Sequence, residues 1–319
     1  MEKSTAAKRI EQEIKANDFE TIKDNVWKPD VSSRKRRTYW SDVLRTFCNN
    51  KIALVSLFIL AIIILMVIIG PHLNGFDYKS NDYNSTDMPP DSIHWFGTDS
   101  LGRDLWVRVW MGGRVSLLIA VFGTIIPYVI GIIIGGISGY IGGRFDAVMM
   151  RMIDILMGVP SLIYMILLMM VMGSGNILTL VIAVTVTGWM SAARMTRGLV
   201  LQVRSREYVL AAKTLGVSDA TIIAKHLIPN TLGIVIVSIT MDIPAVIFYE
   251  AFLSFIGLGV TPPAPSWGQL IKSAAESFRY YPYQFIIPCL CVSLTMLCFN
   301  FIGDGIRDAL DPKLRSQEV

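Results

Sequence analysis

The sequence predicts an all-α polytopic membrane protein with six transmembrane helices. Three observations lead there. Of 319 residues, 53% are hydrophobic and only 17% are charged, whereas a soluble domain carries about 25% charged residues. The charges are unevenly placed: 52–76, 115–143, 155–193, 251–271 and 280–303 contain no Asp, Glu, Lys or Arg. Several of these stretches reach the roughly 20 apolar residues that a helix needs to cross a bilayer core of about 30 Å. A soluble core helix rarely stays uncharged so long, because one of its faces must meet water.

The first span is read at 52–70 and ends at Gly70-Pro71. The polar tail before it places the apolar run too late for a secretory signal. Within the tail, Arg34-Lys35-Arg36-Arg37 followed by Tyr39 and Trp40 suits anionic headgroups and the membrane interface better than nucleic acid. The second span, 115–140, carries Gly131, Gly135, Gly136 and Gly139, small residues that let helix backbones approach in lipid. The third runs from about 148 to 172. The fourth starts near Asn176, after the turn Gly173-Ser174-Gly175. The fifth covers 231–256 and the sixth 283–303.

Lys and Arg set the orientation. With the amino end inside, the inner segments hold 23 of them and the outer segments 71–114 and 257–282 hold 6. Both termini are therefore expected in the cytoplasm. The expected organisation is a cytoplasmic tail over 1–51, a first helix over 52–70 and an external loop over 71–114. A five-helix core over 115–304 follows, with a cytoplasmic loop at 193–230, and then a tail over 305–319.

Few residues suggest chemistry. The four cysteines form no C-x-x-C pair, and the three histidines lack zinc-like spacing. No G-x-x-x-x-G-K-[ST] occurs, so no phosphate loop is available for ATP. Asp154, Asp242 and Glu250 fall within spans, where a charge is costly and a functional candidate by default. No His or Lys accompanies them there to build a proton relay. Packing or a polar cavity wall is the better reading, with Arg151 as the expected partner of Asp154, one turn away.

The most informative stretch is Glu207-Tyr208-Val209-Leu210-Ala211-Ala212-Lys213-Thr214-Leu215-Gly216, continuing to Ile228-Pro229-Asn230. A helix over about 205–215 would end at Gly216, which takes the left-handed conformation at low cost. Ser218 would cap a second helix. By periodicity alone this is an ordinary amphipathic inter-span loop. In sequence it resembles the EAA loop of bacterial ABC-importer permeases, in the peptide-type form E-Y-V-x-A-A-x-x-x-G.

Three further stretches resemble the OppC/DppC type of permease. They are His94-Trp95-Phe96-Gly97-Thr98-Asp99-Ser100-Leu101-Gly102-Arg103-Asp104; Leu253 to Val260 with Pro262-Pro263-Ala264-Pro265-Ser266-Trp267-Gly268; and Gly303-Asp304-Gly305-Ile306-Arg307-Asp308-Ala309-Leu310-Asp311-Pro312. Locally, Arg103 beside Asp99 and Asp104 reads as a wet-surface ion pair worth about 0–1 kcal/mol, in a segment that caps or packs. The prolines stiffen the outer loop and prevent helix there. Asp304, Arg307, Asp308 and Asp311 either tie the tail to the loops or are solvated.

The resemblance implies the type I, MetI-like permease fold. It implies an importer of peptides made with a homologous OppB/DppB-like permease, two OppD/OppF-like ATPase subunits and an external peptide-binding protein. ATP and Mg would be used on the ATPases, with no cofactor on this chain. It implies an ATPase-coupling loop with Glu207, Tyr208, Ala211, Ala212, Gly216, Ile228 and Pro229, the two alanines facing the ATPase. Another cargo of the same family (nickel, glutathione, a sugar), a secondary transporter or a membrane scaffold are the alternatives.

Overall fold

The computed structural model describes residues 39–173 and 175–310. The basic run 34–37, Ser174 and Asp311-Pro312 lie outside the described residues. The chain forms two units, 1–42 and 43–319, and of the first only the opening residues of α1 are described. The described chain is helical: α1 Tyr39–Asn49, α2 Lys51–Ile69, α3 Leu105–Ile141, α4 Gly143–Met157, α5 Ser161–Met172, α6 Ile177–Arg204, α7 Glu207–Thr214, α8 Asp219–Ile222, α9 Ile228–Phe255, α10 Trp267–Ala275 and α11 Pro282–Leu310. A π turn over Ile223–Leu227 joins α8 to α9, so one continuous helical rod runs over Asp219–Phe255.

Among the described residues, five helical segments are long and apolar enough to cross a membrane, or six if the bent pair α4–α5 counts as one. The expected single third span is thus corrected: it breaks and turns by 80°. Gly158-Val159-Pro160 is the cause. Proline disfavours helical geometry in the residue before it and brings no N–H. Other spans outrun their expected limits. α3 begins ten residues before 115, α6 reaches Arg204 inside the 193–230 loop, and α11 continues through 305–310, where a tail was expected.

The fold turns on the α3–α6 seam, where small residues replace bulk. A Cβ on Gly131 would lie 2.4 Å from Ala192 Cβ, and one on Gly135 2.2 Å from the Ala193 carbonyl oxygen. In lipid, such close packing holds helices together, because tails are as apolar as leucine. Beside the seam, Ile119, Met165, Met169, Leu180 and Leu253 pack α3, α5, α6 and α9 into one buried cluster.

The helices have two unlike ends. At one, the segment 73–104 folds over the start of α3. Asp104 caps α3 through the Val107 amide at 2.9 Å, and also accepts from Asn74 at 2.9 Å and meets His94 Nδ1 at 2.9 Å. Gln284 of α11 donates to Asp87 at 2.7 Å and to the Thr98 carbonyl at 2.9 Å. Trp106 stands among Trp95, Phe96 and Trp110, with ring centres 4.7–5.7 Å apart. On its surface, the Ser85 hydroxyl, helped by the Asn84 amide, holds the Asp82 carboxyl below the usual carboxylate range. The other end carries the α6–α9 connection.

Candidate functional site: the α6–α9 connection and the helix cavity

The connection is a helix, a turn and a helix. α7 ends in a Schellman motif: Val217 donates to the Ala212 carbonyl at 3.1 Å and Gly216 to the Lys213 carbonyl at 3.0 Å. Gly216 has φ +77°, as its expected helix-ending role requires. Ser218 caps α8, its hydroxyl accepting from the Thr221 amide at 3.4 Å. Ile228-Pro229 lies where the π turn passes into α9: the Ile228 amide donates to the Ile223 carbonyl, and Pro229, which has no N–H, leaves the next helical bond unmade.

The connection is held against the bundle. Tyr140, Val200, Val209, Ala212, Ile222 and Leu227 form one buried cluster beneath it. Tyr140 Oη donates to Asp219 at 2.5 Å, and Arg204 donates to the carbonyls of Gly139 and Tyr140 at 3.1 and 2.8 Å. The expected outward pair Ala211-Ala212 is split. Ala211 is exposed, while Ala212 is 8% exposed and packs inward, because neighbours on a helix are about 100° apart. The outward face instead carries Glu207, Tyr208, Ala211 and Leu215, the last 83% exposed. Tyr208, Ala211 and Leu215 are spaced i, i+3, i+7, and that spacing was the signal for Leu215.

Several in-span charges find partners that sequence proximity did not suggest. Asp154 pairs with Arg194 of α6, correcting the expected Arg151. Arg197 forks onto Asp146, with both contacts at 2.5 Å, and Ser138 donates to the same carboxylate at 2.6 Å. These pairs tie α4 to α6. Arg103 meets Asp99 at 2.8 Å and Arg108 meets it at 3.4 Å, but the site is nearly closed to water, correcting the expected wet-surface pair.

Glu250 is wholly buried and accepts from Ser116 and Ser254, both at 2.8 Å. Ser116 in turn accepts from the Trp267 amide at 3.2 Å, and Trp267 Nε1 donates to the Val109 carbonyl at 2.9 Å. Glu250 therefore ties α3, α9 and α10, the packing role expected for it. Asp242 has a different setting. Its carboxylate accepts from Tyr128 Oη at 2.7 Å and lines a cavity of about 220 Å³ between α3, α5, α6 and α9.

Long apolar helices, a glycine seam and an anchored helix-turn-helix at one end agree with the likeness read from the sequence. Two family profiles decide it. Binding-protein-dependent transport system inner membrane component matches 131–316, and the N-terminal TM domain of oligopeptide transport permease C matches 38–90. The chain belongs to the binding-protein-dependent transport permeases. It is a permease subunit of an ABC importer, of the OppC/DppC family. The oligopeptide transport system permease OppC of Bacillus subtilis (strain 168) is 45% identical over 95% of this chain and 99% of its own. The dipeptide permease DppC of the same organism is 45% identical over 92% and 89%. A chain of the inward-facing MetNI methionine ABC transporter superposes with a TM-score of 0.51 at 18% identity, over 63% of this permease and 97% of its own, a likeness of fold.

Proposed function

We propose that this permease forms, with a homologous permease subunit, the path of an ATP-driven importer of peptides. End-to-end likeness to both an oligopeptide and a dipeptide permease carries the reading. An external peptide-binding protein delivers the cargo, and two ATPase subunits supply the energy. Six spans, with α4–α5 as one broken crossing, put both termini and the α6–α9 connection in the cytoplasm. The bias of 23 Lys and Arg to 6 supports this orientation.

The connection over 205–222 docks into a groove on an ATPase subunit. Its outward residues Glu207, Tyr208, Ala211 and Leu215 make the contact, Gly216 sets the turn, and Ile228-Pro229 starts the following helix. Fixed beneath by Ala212 and its neighbours, the connection moves as one body when the ATPases close. The rod Asp219–Phe255 carries that movement along the bundle.

The test is uptake of labelled tripeptide by the permease reconstituted with its partner permease, ATPases and binding protein. Uptake should require ATP and persist when the proton gradient is collapsed at constant ATP. Uptake that follows the gradient and needs no ATPase would make the protein a secondary transporter.

A further inference from the structure

Asp242 stands midway along α9, about 20 Å from either end at 1.5 Å rise per residue. The residue is exposed and lines the cavity. A carboxylate at this depth is costly unless it meets an opposite charge or water. No Lys, Arg or His lines the cavity, and among the described residues Asp242 forms no ion pair. The Tyr128 hydroxyl occupies only Oδ2 and is neutral, so Oδ1 remains open.

The rest of the lining is rich in hydroxyls: Thr124, Ser161, Thr187, Ser191 and Tyr249. Thr124 gives its proton to the Ala120 carbonyl at 2.7 Å, and Thr187 gives its own to the Val184 carbonyl at 3.0 Å. What these two side chains offer a ligand is therefore lone pairs. With the Asp242 carboxylate, these lone pairs make the cavity rich in acceptors, one of them charged, which suits a ligand that brings donors and positive charge.

We propose that this cavity is a transit subsite for a primary ammonium group of the cargo, with Asp242 as counter-ion and Tyr128 aiming the carboxylate. An ammonium donates in three directions and suits one open carboxylate oxygen among hydroxyls. A guanidinium fork is best served by both oxygens of a carboxylate, and here one already accepts from Tyr128. The volume of about 220 Å³ falls short of the roughly 300–1,000 Å³ that encloses a whole ligand. The subsite accordingly takes one end of a peptide while the remainder lies outside it.

This subsite rests on the peptide-importer reading, and the test separates the two. The assembled transporter, in vesicles with saturating loaded binding protein, is assayed for uptake of trialanine and of a lysine-bearing tripeptide. Asp242→Asn should lower maximal uptake by about tenfold or more, as losing a charge-assisted hydrogen bond would. The binding-protein concentration for half-maximal uptake and the stimulated ATP hydrolysis should stay at parental values, and Asp242→Glu should keep most of the uptake. Loss with trialanine assigns the α-ammonium, and loss confined to the lysine peptide assigns the side chain.

Parental uptake by Asp242→Asn would overturn the subsite. So would normal membrane levels of that variant without co-purification of the partner permease, which would place the carboxylate at the subunit interface. If Asp242→Asn does not accumulate, Tyr128→Phe decides: severalfold lower uptake with normal ATP hydrolysis supports the subsite, and parental uptake overturns it. A parental complex that moves no peptide would overturn the importer reading itself.

Discussion

At Gly135 the nearest foreign atom, the Ala193 carbonyl oxygen, would sit 2.2 Å from an added Cβ, whereas Gly198 on α6 faces open space. The first contact is backbone and cannot swing away. Gly135→Ala is therefore expected to cost about 1–3 kcal/mol by overpacking, and Gly198→Ala close to nothing. Thermal unfolding of the detergent-solubilised chain checks this, and equal melting temperatures would refute the seam. Ala212 and Leu215 make a second contrast, on the connection. Ala212→Trp forces an indole into the Tyr140–Leu227 cluster and should lower the amount of folded chain. Leu215→Glu alters only the outward face. It should leave membrane levels unchanged while reducing co-purification of the ATPases and uptake. Undiminished co-purification with Leu215→Glu would remove that face from the docking contact.

At the scale of elements, Asp104 and Ser218 are both helix caps, but among the described residues the Ser218 side chain bonds only to Thr221 within its own helix, whereas Asp104 also holds distant residues. Ser218→Ala should cost about 0.5–1 kcal/mol, the low end for a cap, since its bond is long at 3.4 Å. Asp104→Ala also strips His94 and Asn74 of their partner and should cost about 2 kcal/mol or more. Denaturant titration followed by tryptophan fluorescence separates the two. The sequence made the helices legible because uncharged length is a one-dimensional quantity. It made the Gly216 turn and the Ser218 cap legible because each needs a particular residue type. The break at Gly158-Val159-Pro160 was hidden inside an uncharged run, where hydropathy continues across a proline unchanged. The partners Arg194 for Asp154 and Tyr128 for Asp242 lie 40 and 114 residues away along the chain, beyond the reach of helical spacing. Ala212 was misread because the motif groups two alanines that the helix turns apart.

For the whole molecule, the six-span reading makes a direct topological claim. In a background with Cys48, Cys289, Cys291 and Cys298 replaced by alanine, Tyr83→Cys should react with an impermeant thiol reagent in intact cells. Lys213→Cys should react only after permeabilisation. Both positions are exposed, so access decides the outcome. Labelling of Lys213→Cys from outside would overturn the orientation. The unlike ends of the bundle also imply unlike clocks. At the Asp104 end, long-range hydrogen bonds from Arg108 to the Tyr78 carbonyl and from Gln284 to Asp87 and Thr98 lock 73–104 to α3 and α11, so their amides open only when much of that end unravels. The amides of α7 sit on a short exposed helix above one small cluster. Opening free energy falls where buried contacts are few. Deuterium from solvent should therefore fill α7 early and the Asp104 end late, so that the connection proposed to couple to the ATPases exchanges fastest and the end locked by 73–104 keeps its protons longest.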